Sequence, residues 1–108
     1  MRKIVLLPAL LLAGCATTMA DVRGGPTEIS YETAKPVQAT LQCLTEGLAS
    51  TPNPNTVSAY SSGWSIVWVH GAWFADVLPT PGGTRVNYYQ HTFGAPGAGI
   101  TRAIEACR

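Results

Sequence analysis

"GWSIVWVHGAWFADVLPTPGGTRVNYYQH", residues 63–91, is the stretch whose reading decides the fold. Its tryptophans, valines, isoleucine, phenylalanine and tyrosines fall into three short runs, with glycine or proline at the boundaries. Aromatic and β-branched side chains suit a pleated, half-buried surface, so residues 63–71, 72–77 and 85–91 read as strands. The segment "LPTPGGT" (78–84) reads as a wide turn between the last two. Three consecutive strands with short connections make an antiparallel meander.

Alternation along a strand sorts these residues into two faces. Trp64, Ile66, Trp68 and His70 share one side of the first strand, opposite Val67 and Val69. Trp73, Ala75 and Val77 oppose Phe74 and Asp76 on the second; Val86, Tyr88 and Gln90 oppose Arg85, Asn87, Tyr89 and His91 on the third. Apolar residues on both faces are more than a one-sided sheet needs. The three tryptophans therefore either fill a core short of leucine or belong in part to an exposed platform. Trp68, Phe74 and Tyr89 are the candidate binding face, since flat aromatic surfaces stack on sugar rings or receive a partner protein.

Outward from the strands the periodicity changes. Val37, Leu41, Leu44 and Leu48 recur at four, three and four, which draws one stripe on a helix that starts near Pro36 and stops at "STPNPN" (50–55). Ile100, Ala103, Ile104 and Cys107 share a face of a short closing helix. The expected fold is α+β: helix, three-stranded antiparallel meander, helix, with both helices on one face of the sheet and the other face toward solvent or a partner. That domain is expected to span residues 30–108. Residues 15–29, small, polar and broken by Gly24, Gly25 and Pro26, read as a flexible tether reaching about 20 Å.

The chain opens with Met1, Arg2 and Lys3, an apolar run from Ile4 to Leu12, then Ala13, Gly14 and Cys15. The run is too short to span a bilayer, which takes about 20 apolar residues. A positive head, a short apolar run and small residues have the layout of a secretory signal. Leu12-Ala13-Gly14-Cys15 resembles the lipobox of bacterial prolipoproteins. The resemblance covers about the first fifth of the chain. It implies that residues 1–14 are a signal peptide, that Leu12, Ala13 and Gly14 are read by the signal peptidase, and that Cys15 becomes the lipidated first residue. Several acyl chains, at about 0.8 kcal/mol per buried methylene, make such an anchor effectively permanent. Ala16 in place of an aspartate points, by the same resemblance to enterobacterial lipoproteins, to the outer membrane with the domain facing the periplasm.

Loss of residues 1–14 leaves 94 residues, one small domain with a thin core. Five basic residues (Arg23, Lys35, Arg85, Arg102 and Arg108) then face six acidic ones, so no basic stripe remains for nucleic acid. With Cys15 lipidated, Cys43 and Cys107 are left in an oxidising compartment, and a disulfide between them is expected because each sits on a helix covering the same side of the sheet. Closing that loop is worth about 4 kcal/mol on the chain-entropy model.

Chemistry is sparse. "SSGWS" (61–65) lacks the G-x-S-x-G order of a nucleophile elbow, and neither Gly82-Gly83 nor Gly94–Gly99 has the spacing and context of a phosphate loop. His70, His91 and Asp76 lack a recognisable metal-ligand spacing, and the two histidines read as edge or surface residues. The expectation is a non-enzymatic envelope lipoprotein without cofactor or metal, anchored in the membrane through Cys15 and docking on another envelope protein. The alternative is a module that binds peptidoglycan or another small ligand through its sheet-face aromatics.

Overall fold

A computed structural model of the chain describes residues 18–49, 56–68, 73–90 and 98–108. In chain order the elements are α1 (Met19–Arg23), β1 (Ile29–Thr33), α2 (Val37–Leu48), β2 (Thr56–Tyr60), β3 (Gly63–Trp68), β4 (Trp73–Thr80), β5 (Gly83–Gln90) and α3 (Ala98–Ala106). The strands form one antiparallel sheet in the order β1-β5-β4-β3-β2.

This corrects the expected helix, three-strand meander and helix. Among the described residues the sheet has five strands and is accompanied by three short helices. Two strands lie outside the deciding stretch, one at each edge. β1 occupies part of the presumed tether and domain start, and its alternation brings Tyr31 inward between exposed Ser30 and Glu32. β2 follows residues 50–55 and turns into β3 through Ser61-Ser62, with Ser61 in the left-handed conformation at φ 53°. Both turn residues are serines, with glycine only at the closing position Gly63, and Val57 is the only large apolar side chain of the strand before Tyr60, so the strand carries little sequence signal. The expected wide turn at 78–84 is also narrower: Leu78, Pro79 and Thr80 extend β4, and Pro81-Gly82 alone connects to β5.

One face of the sheet carries the main core. Tyr31, Ile66, Trp68, Ala75, Val77, Val86 and Tyr88 meet Leu44 and Leu48 of α2 and Ile100, Ile104 and Cys107 at α3, and all are buried. α2 joins β1 to β2, which are the two outermost strands. Its 12 residues make a helix about 18 Å long, close to the roughly 19 Å across four inter-strand spacings. One helix thus carries the chain from edge to edge. Thr40 reinforces its first turn, its hydroxyl donating to the Pro36 carbonyl at 3.1 Å. α3 lies against α2 where Gly47 faces Ala103; a Cβ on Gly47 would sit 3.5 Å from that of Ala103.

The stretch expected as a free tether contains structure as well. Thr18 and Asp21 form a reciprocal capping box at the start of α1, with the Asp21 amide donating to Thr18 Oγ1 at 3.2 Å and the Thr18 amide donating to Asp21 Oδ2 at 3.0 Å. The Thr18 amide first, and then the Thr18 hydroxyl, which donates to the same Oδ2 at 3.1 Å, hold the Asp21 carboxyl below its ordinary range. α1 then delivers Arg23 to the face of the sheet opposite α2 and α3.

Candidate functional site

Cys43 and Cys107 form the disulfide, with Cα atoms 5.8 Å apart and a sequence separation of 64. The signal and lipidation residues Leu12, Ala13, Gly14 and Cys15, and both histidines, His70 and His91, lie outside the described residues.

The aromatic set Trp68, Phe74 and Tyr89 does not form an open platform. Trp68 is buried in the helix-covered core, its ring meeting that of Tyr88 edge-on at 6.4 Å. Phe74 and Tyr89 belong to the opposite face, where they stack at 4.9 Å and are buried as well. Strand alternation separates Trp68 from the other two, and the cover over Phe74 is Arg23.

That cover is the most organised polar cluster of the second face. Arg23 Nε donates to Asp76 Oδ2 at 2.7 Å and Nη2 to Asp76 Oδ1 at 2.8 Å, a two-point grip, while Nη2 also reaches Ser65 Oγ at 3.2 Å. Ser65 and Asp76 are directly opposed across β3 and β4. The guanidinium lies 3.6 Å above the ring of Tyr60 and 4.8 Å from that of Phe74. The Asp76 side chain is only 2% exposed and that of Arg23 16%. Removing either partner from so buried a pair leaves an uncompensated charge. The Asp76 contact raises the Arg23 pKa, and burial, with Asp76 and Tyr60 adding, raises that of Tyr89. Sequence reasoning missed Arg23 because it fell in a presumed tether. The visible signal was Asp76, an acid between apolar neighbours on a central strand.

Among the described residues three buried donors have no partner: Trp68 Nε1, Trp73 Nε1 and Tyr88 Oη. All three project to the helix-covered face, and burial raises the Tyr88 pKa. Elsewhere an open cleft of about 290 Å³ lies between the ends of β1 and the β4–β5 turn, and one of about 300 Å³ lies beside the disulfide. Among the described residues no group of three or more histidine, cysteine, aspartate or glutamate side chains is placed to hold a metal ion. Among the same residues no helix is long and apolar enough to cross a membrane.

The remaining feature is an edge. Among the described residues β2 pairs with β3 alone and ends the sheet. Four of its five residues are exposed, and Val57, at 41%, is the exposed large hydrophobic side chain of the described structure. "TVSAY" has neither charge nor proline, the devices that ordinarily blunt an edge strand. The chain matches no protein-family model, no curated protein and no solved structure.

Proposed function

We propose that this chain is a lipid-anchored bacterial envelope lipoprotein, held through acyl chains on Cys15, whose non-catalytic domain docks on another envelope protein by adding a strand of that partner to β2. The open edge of β2 is the observation that carries the docking. An unpaired row of backbone amides and carbonyls is a template for an incoming strand, and Val57 offers an apolar contact beside it. The lipobox-like residues Leu12 to Cys15 support the anchor, and a short tether keeps the edge within reach of other envelope proteins. Burial of Trp68, Phe74 and Tyr89 leaves the glycan-platform reading without its exposed aromatics.

The test is affinity purification of the tagged full chain from cross-linked cells, beside a Cys15→Ser form. One partner at near-equal amounts, lost with the Cys15→Ser form, is the expected result. Capture of nothing above background by the lipidated chain contradicts the docking.

A further inference from the structure

We propose that the cage formed by Tyr60, Ser65, Phe74 and Asp76 is a binding site for an arginine side chain of the docking partner, and that the chain's own Arg23 is its resident, displaceable occupant. The proposal rests on the docking reading for its partner, and on the cage geometry for its ligand.

The cage has the chemistry of guanidinium recognition. Asp76 offers both carboxylate oxygens to two guanidinium nitrogens at 2.7 and 2.8 Å, Ser65 accepts at 3.2 Å, and the Tyr60 ring lies 3.6 Å from the guanidinium carbon. A planar, forked cation satisfies the carboxylate and stacks on the ring at once, whereas an ammonium is a point charge that meets only one of these demands.

Receptor and occupant differ in how firmly they are built. The four cage residues stand on β2, β3 and β4 in continuous antiparallel register. Arg23 ends a five-residue helix with no fully buried residue, far shorter than the 12 or so residues a helix needs for even marginal stability alone. The contact joins residues 53 apart in sequence. A site built on three sheet strands is thus filled by a side chain from a short helix of the same chain, the arrangement in which one ligand can exchange for another.

Location connects the cage to the edge. Tyr60 is both its wall and the last residue of β2. A strand added to β2 runs past that wall. Because a tethered arginine acts at an effective concentration in the millimolar range, free arginine displaces Arg23 poorly, and one on a segment already paired with β2 competes on equal terms. Docking therefore precedes exchange, and exchange releases α1 from the sheet.

Opening the cage by Arg23→Ala and titrating the full chain in detergent with N-acetyl-argininamide tests the site without any partner. The variant is expected to melt lower than the wild type and to regain about 5 °C, saturably, at ten times the dissociation constant. N-acetyl-lysinamide is expected to bind at least about fivefold more weakly, and the wild type, its cage filled, to respond to neither. Adding Asp76→Asn should abolish the response. A folded Arg23→Ala chain with no saturable response, or with equal response to the two amides, overturns the site. If that variant does not fold, Arg23→Lys, which keeps a charge beside Asp76 without the two-point grip, is titrated to the same criteria. A photo-crosslinker in place of Ser58, exposed on β2 and outside the cage, then maps the partner in cells. A captured segment containing arginine supports the assignment of the ligand to the partner, and one without arginine overturns it. Capture of no partner contradicts the docking reading and this assignment with it, while the titration still decides the cage.

Discussion

β1 and β2 end the same sheet, but one is laced into the rest of the molecule by its side chains and the other is attached mainly through its ladder to β3. At β1 the buried Tyr31 hydroxyl donates to the Ile104 carbonyl of α3 at 2.6 Å, Ser30 donates to Asn87 at 2.7 Å, and Glu32 pairs with Arg85 at 2.6 Å. Just past the strand, the Lys35 carbonyl accepts from Thr84 at 2.7 Å and its ammonium reaches the Cys107 carbonyl at 3.4 Å. Gly83 completes the fit: at φ 154° it takes a backbone conformation L side chains rarely adopt, and a Cβ there would collide with the Thr33 carbonyl. At β2 the four residues Thr56 to Ala59 are exposed, and Tyr60 leans on α1 through Arg23. An edge strand without charge or proline is a hazard in a lone protein and an asset in one that receives a strand.

The disulfide offers the strongest way to break this contrast. It ties α3 to α2, and α3 receives the β1 hydrogen bond, so replacing Cys43 and Cys107 with alanine should remove about 4 kcal/mol of stability. In native-state hydrogen exchange, protection should fall most in α3 and β1, while β2, already weakly protected, changes least relative to global unfolding. Equal loss along both edges would show that β1 does not depend on α3.

A smaller effect separates the edges by pH. Burial, with Glu105 adding and Arg108 opposing, pushes the Tyr31 hydroxyl up to about 12. Its folded value lies above the unfolded value near 10, so the fold favours the neutral phenol. That contribution is intact below about pH 10 and is lost as pH rises toward 12. Tyr31→Phe should cost about 1 kcal/mol at neutral pH by removing the hydroxyl's hydrogen bond to the Ile104 carbonyl, which keeps its bond from the Cys107 amide, and should flatten the alkaline loss. Denaturant melts at neutral and alkaline pH check both halves, and an unchanged alkaline slope would remove Tyr31 as its source.

At β2 the expected stability change is the smallest and the functional one the largest. Val57→Lys places a charge on an exposed position, so stability should move by less than about 0.5 kcal/mol while partner capture is lost. Wild-type capture by this variant would free the edge from any role in docking.

How much of this was legible depends on where the signal lay. The 63–91 stretch announced its strands because Trp64, Ile66, Trp68, Phe74 and Val77 supply bulk that only burial explains. The stripe from Val37 to Leu48 announced α2, although Thr40, buried on the same side, looked polar. β1 was missed: its signal is the alternation of Ile29, Tyr31 and Thr33, which the small polar residues before it masked as tether. β2 carried almost no signal, because an exposed strand is defined by its partner's backbone rather than by its own side chains. The Arg23 cage was out of reach for a different reason: its parts come from four separate elements, and only the sheet register puts Ser65 beside Asp76 and Tyr60 within range of Arg23.

The central claim is that β2, and not β1, is the docking edge. Photo-crosslinking from Ser58 on β2 and from Ser30 on β1, in cells carrying the lipidated chain, tests it most directly. One discrete adduct from Ser58 and none from Ser30 is the predicted result; an adduct from Ser30 alone, or from neither, would contradict it.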